Sequence, residues 1–234
     1  YLWSQILLLS ISGQGRMADR AERAFFNAGP AAVARDFKTH VYFQSPNRVV
    51  DNSPPYPHGP QASGNSYKLT HYPLCCTAAL NRVLPNYVMH MWMATYDNGL
   101  AATHYGPCKV SALAGDRVPV EITCRTEYPF NESIEMAVKP AREAKFPLSF
   151  RVPGWCTWPA ELRVNDTPVP AKPDKNGFVR VQRTWKPTDT VRLRLPMSVS
   201  VKTGKDNNAG GAPYASVSYG PLLFALPIAD TANA

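Results

Sequence analysis

No run of 18 consecutive apolar residues occurs in the 234-residue chain, and its strongest apolar stretch, Tyr1 to Ile11, is too short to span a bilayer. Acid is scarce: 17 carboxylates stand against 25 lysines and arginines, a net charge of +8. The basic residues are scattered through strand-like segments such as Val191–Leu195 and form no block, which reads as a solvated face and not a groove for a polyanion. None of the common nucleic-acid module signatures appears, so neither a membrane nor a nucleic acid is expected as partner. The five cysteines have irregular spacings and an odd count, so they make no disulfide framework and suit a reducing compartment better. The chain also lacks an initiator methionine, a charged leader and a cleavage site, and "YLWSQILLLS" reads as the middle of a buried helix. A piece of a longer protein is the expectation. The compartment stays open between cytoplasm and periplasm, and oligomeric state is open too.

What is present divides by periodicity. Residues 1–96 read as helical, and residues 97–230 as strands. Tyr1 to Ser12 is apolar nearly all round, and "SGQG" breaks it. "RMADRAERAFFNAG" then sets Met17, Ala21, Ala24 and Phe25 on one face, with Asp19, Arg20, Glu22 and Arg23 toward water, before Gly29-Pro30 ends it. "THVYFQS" suggests a short strand and "NSPPYPHGPQASGNSY" an irregular loop. Leu80, Val83, Leu84, Tyr87, Val88 and Met91 return to helical spacing, with Pro85 expected to kink that helix or open a new first turn. From about Gly99 the period is two. Val118, Val120, Ile122 and Cys124 alternate with polar residues, as do Phe146/Leu148/Phe150, Leu162/Val164, Val179/Val181 and Val191/Leu193/Leu195. Turn signals such as "AGD", "NES", "VNDTP" and "DKNG" separate them, which predicts an antiparallel β-sandwich. "ASVSYGPLLFALPI" is expected to close a sheet.

Cys75 and Cys76 stand side by side at the mouth of the second helical pattern. With Thr77 as N-cap, both sulfurs would lie at the positive helix end, where the thiolate is favoured. Arg82 follows two turns on, and His71 precedes. A thiolate is what a metal ligand or a nucleophile requires. Cysteine is equally at home as a small buried hydrophobe, and residue pattern alone favours that structural reading of the pair.

"CCTAALNRVLPNYVMHMWM", "NGLAATHYGPCKV", "PLSFRVPGW" and "LRVNDTPV", in this order, resemble the C-terminal part of the β-L-arabinofuranosidase family, glycoside hydrolase family 127 and its relatives. "GRMADRAERAFFNAG" and "VYFQSPNR" resemble the segments before the cysteine pair, so the likeness runs from about residue 1 to residue 225. It implies a fold of class α+β: the last helices of an (α/α)6 catalytic barrel in 1–96, then a β-sandwich domain in 97–230. It also implies a retaining exo-glycosidase whose zinc ion is held by one glutamate and three cysteines. Carried over, Cys75 is nucleophile and zinc ligand and Cys76 is a second ligand. Tyr42 falls where relatives place an aromatic near the substrate, with Phe43 and plain core packing as the alternatives. Arg82 matches an arginine place after the pair, with a surface or capping role as the alternative. The remaining ligands and the acid/base glutamate are expected upstream of Tyr1. Before residue 93 the carboxylates are Asp19, Glu22, Asp36 and Asp51 alone, and none reads as a buried acid. Ala78-Ala79 departs from the Gly-Asn that follows the pair in close relatives, which removes a hydrogen-bonding amide.

Other residues have plainer readings. His71, His90 and His104 could add nitrogen to a local metal, but a histidine beside an apolar helix is more often a hydrogen-bonded core residue. Cys108, Cys124 and Cys156 read as packed thiols, and Trp155 and Trp158 as packing residues, with sugar stacking the alternative. The rival to an enzyme is a non-catalytic carbohydrate-binding or interaction sandwich with inert cysteines. A thiol redox element is a weaker third.

Overall fold

In the computed structural model, which describes residues 1–42, 67–69, 75–206 and 211–225, strands dominate and helices are few. Helix α1 (Leu2–Ser12) stops at Gly13, whose left-handed φ of 66° lets its N–H reach the Leu9 carbonyl at 2.8 Å. Helix α2 (Gly15–Arg23) starts two residues later and runs through a π-helical stretch (Ala24–Ala28) into a last turn, α3 (Gly29–Ala31). Gly15 is a close-approach glycine: its N–H donates to the Asn176 carbonyl at 2.7 Å, and a Cβ there would meet that oxygen at 2.8 Å. The predicted strand at 39–45 is reduced, within the described residues, to His40 bridging Val33 and Lys68; residues 43–45 lie outside them. The Pro-rich loop predicted for 52–67 falls outside them too, except Tyr67.

Helix α4 (Cys75–Met89) continues through Pro85, and the cysteines are its first two residues. Thr77 therefore sits inside the first turn, not at the N-cap position expected of it. Strand β1 (Trp92–Ala94) follows at once and pairs with β2 (Leu100–Ala102) across the "YDNG" turn. The alternating segments then become β3 (Cys108–Ala114), β4 (Val118–Thr126), β5 (Ser133–Pro140), β6 (Ala144–Arg151), β7 (Glu161–Val164), β8 (Thr167–Val169), β9 (Phe178–Trp185) and β10 (Asp189–Arg194). β11 (Val199–Asp206), β12 (Ala212–Tyr219) and β13 (Leu222–Leu223) complete the order.

The strands form a four-stranded sheet, β1-β2-β6-β9, a six-stranded sheet, β3-β4-β5-β10-β7-β8, and a three-stranded sheet, β11-β12-β13. The inward residues of the first two meet in one core: Phe146, Leu148 and Phe150 of β6 with Ile122 of β4, Met136 of β5 and Leu193 of β10. The antiparallel expectation needs one correction, since β2 and β6 run parallel, with Leu100 opposite Leu148. The last segment closes onto neither large sheet; it pairs with β11 in a sheet of its own.

Candidate functional site

The outer face of the four-stranded sheet is covered by helix. Met17 and Ala18 of α2 pack with Leu9 of α1 against Met93 and Phe178. Arg151, the last residue of β6, points into this layer and is completely buried. Its guanidinium donates to Asp19 through Nη1 and, at 2.5 Å each, to the Thr103 carbonyl through Nε and to Glu22 Oε1 through Nη2. Tyr128 Oη also donates to Glu22 Oε1, at 2.7 Å, and Trp155 Nε1 donates to Oε2 at 3.0 Å. Asp19 Oδ2 accepts the Gly154 N–H at 3.0 Å. Burial pulls the Arg151 pKa down, but Glu22 and Asp19 outweigh it and the net shift is upward; burial and then Glu22 push Tyr128 up. Glu22 thus does not face water as its sequence position suggested, and Asp19 is mostly buried, while Arg20 and Arg23 do face water. With both oxygens of Glu22 occupied, it is a structural partner and not a reagent.

The helical spacing held the signal for this site. Ala18, Ala21, Glu22 and Phe25 follow i, i+3, i+4, i+7, so Glu22 lies on the buried stripe, and only its charge argued otherwise. Arg151 was harder to find, because two-residue alternation assigns it to solvent and gives no sign that helices cover that face.

Cys75, at the first turn of α4, is exposed, and Arg82, seven residues on and so on nearly the same helix face, is exposed as well. Asn86 is fixed at the next turn by its Nδ2 donating to the Arg82 carbonyl at 2.7 Å. Tyr42 is half-buried and follows Val41, whose N–H donates to the Ala32 carbonyl at 2.9 Å. Between α4 and the π-helical stretch runs an apolar groove of about 550 Å³, lined by Phe25, Phe26, Leu80, Val83 and Leu84 with His40 at one side. The structure thus sets Cys75 and Arg82 on one helix, while Tyr42 is not among the residues that line the adjoining groove.

Two thiols are suitable zinc donors but only half of a tetrahedral shell. Among the described residues no group of three or more His, Cys, Asp or Glu side chains could hold a metal ion. The described residues do not by themselves complete a zinc site. His71 lies outside the described residues. His90 contacts the Asn86 carbonyl through Nδ1 at 2.7 Å and Trp3 edge-on at 6.3 Å. His104 is a buried core residue, its ring 4.6 Å from that of Tyr87, and burial, with Arg151 adding to it, lowers its pKa to about 3. Cys124 is buried and faces Cys108 across β4 and β3, while burial and then Glu132 raise the Cys156 pKa to about 11. No helix among the described residues is long and apolar enough to cross a membrane.

The chain is a helical layer folded over one face of a two-sheet core, and residues 99–197 match the family model "Beta-L-arabinofuranosidase, GH127 middle domain". The resemblance of the chain to glycoside hydrolase family 127 is shown by that sequence match, and the fold is shared with solved structures. A non-reducing end β-L-arabinofuranosidase of Bifidobacterium longum subsp. longum is 22% identical over 231 residues, 95% of this chain and 33% of the relative. A GH127 β-L-arabinofuranosidase from Geobacillus stearothermophilus T6 superposes with a TM-score of 0.80 at 23% identity, covering 95% of this chain and 34% of the other. A GH127 β-arabinofuranosidase gives 0.74 at 19% identity, over 95% of this chain and 35% of the other. The chain therefore spans about a third of the length of these relatives.

Proposed function

We propose that the chain is part of a retaining exo-glycoside hydrolase acting on terminal β-L-arabinofuranosyl or similar sugars, with Cys75 as nucleophile. The observation that carries this reading is an exposed cysteine at the first turn of α4, the helix that precedes the segment 99–197 matching a GH127 middle domain. On this reading, residues 1–96 belong to an (α/α)6-barrel catalytic domain and 97–230 to a β-sandwich domain. Tyr42 and Arg82 contact the sugar, and Cys75 and Cys76 give two ligands to a zinc ion whose other ligands come from outside this chain. The metal would supply one thing, a sulfur kept deprotonated near neutral pH.

The chemistry at this chain's own atoms is a double displacement. Cys75 Sγ bonds to the anomeric carbon as the bond from that carbon to the leaving oxygen breaks. An acid supplied from outside the chain protonates that oxygen. Water then bonds to the same carbon and gives its proton to that group, now a base. The carbon–sulfur bond breaks, and configuration is retained overall.

The test uses the polypeptide extended to the length of its relatives and a chromogenic β-L-arabinofuranoside. Hydrolysis with stoichiometric zinc is expected. Cys75→Ser should lower kcat by roughly a thousandfold or more, and both Cys75→Ser and Cys76→Ser should lose the metal. An extended protein that binds zinc yet never cleaves an arabinofuranoside overturns the proposal. Sugar binding untouched by both substitutions, without turnover, assigns the non-catalytic module instead.

A further inference from the structure

A second cavity, of about 350 Å³, lies between α2, the loop after β6 and the three-stranded sheet. Its size is at the lower end of small-molecule sites, about 300–1,000 Å³. One wall is a polar row set by strand register. Ser198, Ser200 and Lys202 recur every second residue along β11 and its approach, and Ser200 sits directly opposite Ser218 of β12. Val199, Val201 and Val217 occupy the alternate positions, so the hydroxyls share one face. The Trp155 indole belongs to the same lining. It is fixed by its N–H donating to Glu22 and by stacking 6.4 Å from Tyr128 at an interplanar angle of 25°. Asn27 ties the helical segment after α2 to the three-stranded sheet. Its Nδ2 donates to the Pro221 carbonyl at 2.9 Å, and its Oδ1 accepts the Leu223 N–H at 2.7 Å.

The polar groups facing this space are of two kinds. Asp19 and Glu22 are already engaged with Arg151. Among the described residues, the side chains of Arg23 and Lys202 have no ion-pair or hydrogen-bond partner, and neither do the hydroxyls of Ser198, Ser200 and Ser218. Two cations, Arg23 and Lys202, and two carboxylates, Asp19 and Glu22, line the cavity; both carboxylates are held by the buried Arg151, so Arg23 and Lys202 are the lining charges left without a counter-ion. An indole and a row of hydroxyls in one lining suit a ring with an apolar C–H face and a hydroxyl rim, and unpaired guanidinium and ammonium groups suit an anionic substituent on that ring.

We propose that this cavity binds an acidic sugar, a carboxylate-bearing pyranose at a chain end or within a short oligosaccharide. The carboxylate lies between Arg23 and Lys202, and the ring packs on Trp155 with its hydroxyls on Ser200 and Ser218. None of these residues takes part in the reaction proposed for Cys75, and the inference does not rest on that reading.

Calorimetric titration of the full chain with digalacturonate tests it, alongside a neutral galactose disaccharide, inorganic phosphate and acetate at matched ionic strength. Digalacturonate should bind saturably, roughly tenfold or more tighter than the neutral disaccharide. Lys202→Gln and Arg23→Gln should each weaken it about tenfold without lowering Tm, and added salt should weaken it further. Cys75→Ser should leave it unchanged, which separates this outcome from the fate of the hydrolase reading. Absence of saturable heat from digalacturonate, equal binding of phosphate or acetate, or affinity indifferent to both cation substitutions overturns the proposal.

Discussion

Arg151 Nη2 lies 2.5 Å from Glu22 Oε1, with both side chains withdrawn from water, 0% and 1% exposed. The contact joins the last residue of β6 to the middle of α2, and Tyr128, Trp155 and Asp19 complete the set of donors and acceptors around it. A buried ion pair of this kind adds little net stability over a well-packed apolar substitute, because both charges must be stripped of water. Losing one member is another matter. Glu22→Ala leaves the guanidinium with only the partly exposed Asp19 as counter-charge and should destabilise the fold by about 3–5 kcal/mol. Arg151→Ala should do the same by isolating two carboxylates. Urea unfolding monitored by Trp fluorescence measures both, and a Glu22→Ala loss under about 1 kcal/mol would refute a structural role for the pair.

The contrast between two tyrosines gives a sharper test of satisfied against unsatisfied burial. Tyr128 Oη donates to Glu22 at 2.7 Å, whereas the equally buried Tyr87 Oη has no hydrogen-bond partner among the described residues. Removing a hydroxyl bonded to a charged group costs about 1.5–3 kcal/mol, so Tyr128→Phe should destabilise by that amount. Tyr87→Phe keeps the ring stacked 3.7 Å from Phe25 and deletes only an atom that burial penalises. It should be neutral or raise stability by up to about 1 kcal/mol. Thermal melts of the two variants side by side decide the matter; a Tyr87→Phe loss as large as that of Tyr128→Phe would mean that its hydroxyl has a partner.

The strands were legible in the sequence because a sheet with one buried face writes itself as alternation. Val118/Val120/Ile122/Cys124 and Val191/Leu193/Leu195 are buried as that pattern requires. The pattern is silent about which strands become neighbours, and so the parallel pairing of β2 with β6 and the separate sheet of β11 to β13 could not be read from it. Glu22 shows the other limit. A carboxylate on a helix is assigned to water unless its counter-ion is known, and the counter-ion here is 129 residues away in the chain. The cysteine pair was visible as two letters and as a family motif. Among the described residues no three His, Cys, Asp or Glu side chains come together to hold a metal, so the sequence motif has no counterpart in a cluster of side chains there.

Gly99 marks where the parallel pairing becomes possible. A Cβ built on it would stand 2.4 Å from both the carbonyl oxygen and Cγ of Pro147, and 2.8 Å from Thr95 Oγ1. Pro147 belongs to β6 beside Leu148, the register partner of Leu100, so neither atom can retreat without shifting the strand. Gly99→Ala should therefore cost about 1–3 kcal/mol as overpacking. Tyr96→Ala, three residues earlier on a fully solvent-exposed side chain, should stay within about 0.5 kcal/mol of the parent. Denaturant midpoints of the two variants check the pair, and an unchanged midpoint for Gly99→Ala would contradict the tight β2–β6 approach.

His104 makes stability depend on pH in a stated direction. Burial first, and then Arg151, lower its folded-state pKa to about 3 from an ordinary value of 6.5. Between those values the unfolded chain takes up a proton at this residue that the folded chain refuses, so unfolding is favoured as the pH falls. The stabilising contribution is whole above pH 6.5 and is lost progressively down to about pH 3. The loss has a limiting slope of about 1.4 kcal/mol per pH unit for one proton. Carboxylates titrate in the lower part of that range, so the diagnostic interval runs from about pH 6.5 to pH 5. His104→Gln will lower stability overall, since the Thr103 and His90 contacts of the ring change. Its unfolding free energy should nevertheless fall less steeply than the parent's across that interval, by close to one proton's worth. Parallel slopes for parent and variant would mean that His104 is protonated in the folded protein, and the Tyr87-facing core would then have to hold a charge.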